Sequence, residues 1–327
     1  MQGANILRKS LRSLDPSDRD EKGHRPPMPT STNTASPITP SYDEKRWTSA
    51  DGLKLFYRDY AGADGAADRL PVVCLHGLTR NSRDFEGVAA WVAAQGRRVI
   101  VPEMRGRGQS EYSSDPSTYT PLQYVEDLEL LFAELGIERF ISIGTSMGGL
   151  ITMLLAAAEP GRIEGVLMND IGPVVDPAGL KRIGGYVGHG RSYPTWMHAA
   201  KSLQSVHGEA FPEWDLDQWF EMAKRTLVVS QNGRISYDYD MAIAQPFAQH
   251  GNAAPDNLWL AYEALAGVPM VLVRGELSDL LSPDTVKQMA ARNPAMTVVV
   301  VPNVGHAPTL DEPEARAAME AWLSQLA

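Results

Sequence analysis

A serine and a histidine far apart in the chain occupy positions that suit nucleophilic catalysis. Ser146 lies in the run ISIGTSMGGL, where an apolar strand breaks at Gly144 and the chain continues as an apolar helix. Gly144 and Gly148 flank the serine, as a sharp strand-to-helix turn requires, because such a turn leaves no room for a Cβ on either side. The start of the helix would direct free N–H groups at an anion that forms beside the serine. This pattern predicts acyl transfer through Ser146.

A serine hydroxyl is a weak nucleophile at neutral pH, so it needs a base and a group that orients this base. His306 is the best candidate for the base, because it follows the apolar strand 297–302 in a short turn. Three carboxylates compete as the orienting acid. Asp279 follows the strand 269–274, Asp170 ends the strand 163–169, and Glu276 lies close to Asp279.

The chain resembles the α/β-hydrolase superfamily from about Lys45 to its C-terminus. A His-Gly loop at position 76, the serine turn, Asp279 and His306 follow one another in the order of that fold. The resemblance implies a mostly parallel sheet of about eight strands with helices on both faces and an inserted helical cap. It favours Asp279 as the acid, with Asp170 as the alternative, since some members of the superfamily carry the acid at that earlier strand.

The loop after the third strand is expected to hold part of the substrate. The backbone N–H groups of Leu78 and Met147 are the predicted oxyanion hole, which would bind the negative charge of a tetrahedral intermediate. His76 and Gly77 form the turn that presents Leu78, and we place them at the substrate pocket. Arg80 is a candidate for binding a substrate carboxylate, and its alternative role is that of a solvated loop arginine.

From residue 70 onward, apolar strands alternate with helical patterns, which predicts a parallel sheet between two layers of helices. The alternation stops for about ninety residues and resumes at strand 268–273. We therefore expect a disordered tail over 1–42, a first part of the core over 43–171, a helical cap over 172–266 and a second part of the core over 267–327.

The segment predicted as the cap is rich in aromatic residues. Trp196, Trp214 and Trp219 are candidates for lining an apolar substrate pocket and excluding water from it. The alternative is that each of them packs the cap onto the core.

Composition limits the possible partners. With 30 Lys and Arg against 40 Asp and Glu, the chain has a net charge of −10, which disfavours a nucleic-acid partner. No apolar run reaches the roughly 18 residues of a membrane span, and the lone Cys74 fits a reducing, cytoplasmic location. No spacing of metal ligands or cofactor motif occurs, so we expect neither a metal nor a cofactor. The oligomeric state is left open.

Serine at the turn disfavours the dehalogenases and epoxide hydrolases of the superfamily, which use an aspartate nucleophile. The leading hypothesis is hydrolysis of a carboxylic ester or lactone, with a small apolar or aromatic ester as the substrate. One alternative is hydrolysis of a carbon–carbon bond in a vinylogous diketone. Another, from a different class, is a ligand-binding protein of low turnover on the same scaffold.

Overall fold

The computed structural model of the protein describes residues 41–63, 69–249 and 258–326. The predicted tail over 1–42 therefore lies outside the described residues, apart from its last two positions. None of the helices in the described ranges has the length and apolarity to cross a bilayer.

The first part of the core alternates strands and helices, as the sequence predicts. Helix α2 carries residues that mark both of its ends. At the start, the Thr120 side chain accepts a hydrogen bond from the N–H of Gln123, and Pro121 occupies the first turn. At the end, Gly136 stops the helix with a φ of 63°. The elements are β1 (Asp43–Thr48), β2 (Lys54–Tyr60), β3 (Val72–Leu75), α1 (Glu86–Ala94), β4 (Val99–Pro102), α2 (Pro121–Leu135), β5 (Phe140–Thr145), α3 (Met147–Ala158) and β6 (Ile163–Asn169).

The segment predicted as the cap contains helices, as expected, and also a small antiparallel sheet that the sequence did not predict. Its strands have only two or three residues each, too few to produce a visible alternation of apolar and polar positions. The elements are α4 (Pro177–Gly184), β7 (Ser192–Tyr193), α5 (Trp196–His207), α6 (Leu216–Thr226), β8 (Leu227–Val229), β9 (Ile235–Tyr237), α7 (Ala244–Gln249) and α8 (Leu258–Glu263).

The chain then returns to the main sheet. The last elements are β10 (Met270–Gly275), α9 (Pro283–Arg292), β11 (Met296–Val301) and α10 (Pro313–Leu323). The main sheet has eight strands in the order β1-β2-β4-β3-β5-β6-β10-β11. Within it, the six strands β4, β3, β5, β6, β10 and β11 run parallel to one another, whereas β2 is antiparallel to both β1 and β4.

Apolar side chains cover both faces of this sheet. Along β3, Val73 and Leu75 belong to one apolar cluster, which includes residues of α2, α3 and α9, whereas Val72 and Cys74 belong to the other, with α1 and α10. Such strands are buried on both faces and therefore read as continuous apolar runs. The carboxyl ends of β5, β6 and β10 lie side by side, and the candidate residues lie just beyond them.

Candidate active site

Ser146 lies at the junction of β5 and α3 with a φ of 52° and a ψ of −116°, which is a strained backbone for a residue with a side chain. Its N–H donates to the carbonyl oxygen of Asn169 at 3.0 Å. Crowding explains the two flanking glycines. A Cβ on Gly144 would lie 2.6 Å from the backbone of Gly148, and a Cβ on Gly148 would collide with the carbonyl of Leu75. The serine is thus held at the top of the sheet.

His306 and Asp170 extend from Ser146 in a hydrogen-bonded chain. The Nε2 atom of His306 lies 2.9 Å from Oγ of Ser146, and its Nδ1 atom lies 2.8 Å from Oδ2 of Asp170. The Asp170 side chain is 0% exposed and that of His306 is 8% exposed. Because an ionised carboxylate only accepts hydrogen bonds, Nδ1 carries the proton and Nε2 is free to accept one from the serine.

The Asp170 carboxylate is fixed by two further donors. The N–H of Gly275 donates to Oδ1 at 3.1 Å, and the hydroxyl of Ser278 donates to Oδ2 at 2.7 Å. Asp170 has a φ of 55°, so the chain turns sharply at the end of β6 and directs the side chain along the sheet edge. Across the described ranges, no lysine or arginine forms an ion pair with it. Hydrogen bonds, without an ion pair to Lys or Arg, therefore offset the free-energy cost of burying this carboxylate.

Asp279, which the sequence favours as the partner of His306, does not contact the histidine. Its carboxylate forms two hydrogen bonds with Arg182 of α4, from Nε at 2.6 Å and from Nη2 at 2.7 Å. Arg182 holds the pKa of Asp279 below its usual value. The reason for the difference is the turn after β10, which points Ser278 at Asp170 and Asp279 at α4. Glu276, the third candidate, instead accepts from the N–H of Asn303.

The predicted oxyanion donors lie beside the serine. Neither the N–H of Leu78 nor that of Met147 has an acceptor among the described residues. His76 is buried beneath the loop rather than exposed in the pocket: its Nδ1 donates to the Gly77 carbonyl at 2.8 Å, and its Nε2 accepts from the N–H of Met104 at 3.1 Å. Burial lowers the pKa of His76 to about 4, so the ring is neutral. Since a peptide is planar, fixing the Gly77 carbonyl also fixes the direction of the Leu78 N–H.

A cavity of about 680 Å³ opens above Ser146 between the sheet edge and the segment 183–239. Of the residues that the sequence analysis assigns to a substrate pocket, Gly77, Arg80 and Trp214 line this cavity. Trp219 and Trp196 do not. Trp219 is fully buried, with its ring centroid 4.9 Å from that of Trp214, and Trp196 packs against the same apolar cluster. Both tryptophans hold the helices around the cavity together, which is the packing role weighed as their alternative.

Several residues at the site were not predicted from the sequence. Ser278 and Arg182 decide which aspartate meets His306, and Tyr186 and His207 line the cavity. The many aromatic residues of the cap segment indicated that aromatic side chains would line the cavity, but not which ones. The described part of the chain contains no group of three or more His, Cys, Asp and Glu side chains that could hold a metal ion.

The family model for the alpha/beta hydrolase family matches residues 72–319. The chain belongs to this family. A 3-hydroxybutyrate-oligomer hydrolase of Cupriavidus necator is 39% identical over 252 residues, which are 74% of this chain and 84% of that protein. The sn-1-specific diacylglycerol lipase ABHD11 of Mus musculus is 29% identical over 77% of this chain and 80% of that protein.

Among solved structures, an alpha/beta hydrolase from Novosphingobium aromaticivorans is 53% identical to this α/β hydrolase. The match covers 87% of this chain and 99% of that one, with a TM-score of 0.83. The predicted superfamily and fold are therefore confirmed, and the names of the relatives support a hydrolase.

Proposed function

We propose that this α/β hydrolase cleaves a carboxylic ester through an acyl-enzyme on Ser146. In this proposal His306 is the base, and Asp170 takes the place of Asp279 as the acid that orients it. The observation that carries the proposal is the continuous chain from Asp170 through His306 to Ser146, with links of 2.8 and 2.9 Å. A nucleophile, a base and an orienting carboxylate in hydrogen-bond contact are the arrangement that acyl transfer requires.

In the first half-reaction, Oγ of Ser146 attacks the ester carbonyl while its proton passes to Nε2 of His306. The carbonyl oxygen becomes an oxyanion and accepts hydrogen bonds from the N–H groups of Leu78 and Met147. Each such donor is worth about 3 kcal/mol of transition-state stabilisation. The intermediate then collapses, the C–O bond to the alcohol breaks, and His306 returns the proton to the leaving oxygen.

In the second half-reaction, a water molecule replaces the alcohol. His306 takes a proton from this water, and the resulting hydroxide attacks the acyl carbon of the serine ester. Collapse of the second tetrahedral intermediate releases the carboxylic acid and returns the proton to Ser146. Throughout, Asp170 stays ionised and stabilises the imidazolium that forms in each half-reaction.

As the substrate class we propose short linear esters of hydroxy acids. The relative from Cupriavidus necator is named for hydrolysis of 3-hydroxybutyrate oligomers. The cavity, at about 680 Å³, falls within the usual range of small-molecule sites. Phe211 and Trp214, whose rings stack with centroids 4.0 Å apart, give part of its wall an apolar surface for methyl and methylene groups.

A substrate panel with a matched variant tests the reaction. The panel contains the dimer and trimer of 3-hydroxybutyrate and p-nitrophenyl esters of two to twelve carbons, and it is run on the wild type and on Ser146→Ala. We expect hydrolysis of the short esters by the wild type, a loss of more than about 10⁴-fold in the variant, and fluorophosphonate labelling of the wild type only. Equal ester turnover by Ser146→Ala would contradict the proposal.

With a vinylogous diketone added, the same panel separates the other two functions that the sequence left open. A carbon–carbon hydrolase would leave the esters intact but bleach a yellow vinylogous diketone produced by aromatic-ring cleavage. A ligand-binding protein would turn over neither class of compound, and the fluorophosphonate would leave its serine unlabelled.

A further inference from the structure

Three of the polar side chains on the cavity wall lie together and have no role in the acyl-transfer chemistry. We call Arg80, Tyr186 and His207 the polar recess; all three line the cavity that also contains Ser146. The recess is close to the nucleophile, because a Cβ on Gly77 would lie 3.4 Å from Cγ of Arg80 and 3.8 Å from Cβ of Ser146. Arg80 and the serine thus flank the same glycine.

Arg80 is held firmly and keeps donors to spare. Its Nε and Nη2 atoms donate to the two carboxylate oxygens of Asp84 at 2.6 and 2.5 Å, and Nη1 donates to Oγ1 of Thr226 at 2.8 Å. A guanidinium has five N–H groups. Two of them, both on the terminal nitrogens, have no acceptor among the residues that the structure describes and remain for a ligand, and the Asp84 contact preorganises them.

The other two members of the recess lie near Arg80 and Arg182, whose charges are paired with those of Asp84 and Asp279. The ring of His207 packs edge-on against Tyr186, with centroids 5.0 Å apart, and no described group forms a hydrogen bond with its side chain. Burial, together with the charges of Arg80 and Arg182, lowers the pKa of His207 to about 4. Burial raises the pKa of Tyr186, and the same two arginines oppose this rise. Both groups are thus neutral at pH 7 and can offer hydrogen bonds to a ligand without a charge of their own.

We propose that the polar recess binds the carboxylate of an anionic ester and that the enzyme prefers such esters to neutral ones. This inference rests on the proposed ester hydrolysis. In a hydroxy-acid dimer, the carboxylate belongs to the leaving alcohol and lies only a few bonds from the scissile carbonyl. The two spare N–H groups of Arg80 would bind its oxygens, and the Tyr186 hydroxyl and a ring N–H of His207 would complete the shell.

Carboxylates near the cavity mouth do not cancel this preference. The described lining of the cavity includes six carboxylates: Asp215, Asp217, Glu221 and Asp311 are exposed, Glu312 is half-buried and accepts from the N–H of Thr309, and Asp84 is half-buried and already paired with Arg80. In physiological salt, charges in solvent are screened over about 8 Å, whereas the enclosed recess is screened much less. A neutral ester would leave the half-buried donors of the recess without partners, and a site built this way disfavours a ligand that lacks the matching group.

The test compares the free dimer of 3-hydroxybutyrate with its methyl ester, in which the carboxylate charge is masked, and it counts only cleavage of the bond between the two hydroxybutyrate units, since the methyl ester is itself a second hydrolysable bond. The quantity measured is the preference ratio, kcat/KM for the free acid divided by kcat/KM for the methyl ester. We expect a ratio well above one in the wild type. It should fall about 10- to 100-fold in Arg80→Gln and less in Tyr186→Phe, because charge-assisted hydrogen bonds are stronger than neutral ones.

Arg83 supplies the matched control. It also joins the core to the cap segment, through the carbonyl of Arg225 at 3.1 Å and the carboxylate of Asp238 at 2.7 Å, but it does not line the cavity. Arg83→Gln should lower both activities alike and leave the preference ratio unchanged. A ratio near one in the wild type, or a ratio that Arg80→Gln does not change, overturns the inference alone. Hydrolysis of neither ester by the wild type overturns the proposed substrate class, and the inference falls with it.

Discussion

The ends of β6 and β10 are neighbouring strand ends, and each is followed by an aspartate that could serve a catalytic histidine. Asp170 is fully buried and accepts from Gly275, Ser278 and His306. Asp279 is 33% exposed and pairs with Arg182 on α4. One carboxylate thus faces the core along the sheet edge, and the other faces the cap segment.

The comparison shows that strand position alone does not assign a catalytic role to a carboxylate. What differs is the set of donors that each side chain meets. Asp170 meets only hydrogen-bond donors without a fixed charge, so its full negative charge is available to an imidazolium on His306. The charge of Asp279 is already matched by Arg182 at 2.6 Å. We infer that the first carboxylate serves the chemistry and that the second fastens α4 to the loop after β10.

The largest difference should appear in the paired variants Asp170→Asn and Asp279→Asn. An amide at position 170 would donate to Nδ1 of His306, so that the ring carries its proton on Nε2 and cannot accept one from Ser146. We expect kcat on a short ester to fall about 10³- to 10⁴-fold. Asp279→Asn should reduce kcat by less than about 5-fold, because Asp279 does not contact His306 and its partly exposed ion pair with Arg182 contributes little.

Steady-state kinetics on p-nitrophenyl butyrate, with circular dichroism as a check on folding, decides between the two aspartates. A larger loss in Asp279→Asn than in Asp170→Asn would reverse the assignment. It would mean that the histidine changes partner during turnover.

A smaller loss of kcat is expected when Ser278, which donates to Asp170 and not to Asp279, is replaced. Ser278→Ala removes the hydroxyl that donates to Asp170 at 2.7 Å and leaves the Gly275 and His306 contacts intact. A hydrogen bond to a charged group contributes about 1.5–3 kcal/mol, so we expect kcat to fall about 10- to 150-fold as the carboxylate loses its fixed position.

Ser282→Ala is the matched control for that variant. Ser282 caps α9 by accepting from the N–H of Thr285 at 3.1 Å, and it has no hydrogen bond to Asp170. It should lower the free energy of unfolding by about 1 kcal/mol and leave kcat unchanged. If urea unfolding and kcat respond alike in the two variants, Ser278 has only a structural role.

The sequence predicts the core well because its signals are local. Strands such as β3 and β5 are buried on both faces, so they appear as apolar runs between turn residues. The turn at Ser146 could also be foreseen, since Gly144 and Gly148 are there for steric reasons that act within a few residues. Helix α2 carries its own start and stop signals at Thr120 and Gly136.

The choice of acid and the cavity wall were not predictable in the same way. Which aspartate reaches His306 depends on the positive φ of Asp170 and on the turn that brings Ser278 beneath it. Neither feature has a signature within its own segment. Whether an aromatic residue of the cap lines the cavity, as Trp214 does, or is buried, as Trp219 is, depends on packing between helices.

The smallest predicted effect concerns the stability that Asp279 contributes at low pH. Arg182 holds the pKa of Asp279 below its usual value of 3.8, so the unfolded chain takes up a proton at this carboxyl before the folded protein does. The stabilisation from the pair is therefore complete above about pH 4 and is lost as the pH falls through the folded-state pKa. Urea unfolding of Asp279→Asn should show a weaker dependence on pH between 4.5 and 3 than the wild type, with a difference below about 1 kcal/mol because the pair is partly exposed.

Asp284 provides the comparison, since it pairs with Lys287 at 3.0 Å while both side chains are largely exposed. Asp284→Asn should follow the wild-type curve, because solvent screens both partners. If Asp279→Asn also follows that curve, the contact with Arg182 does not fasten α4. The contrast between the two strand ends would then rest on Asp170 alone.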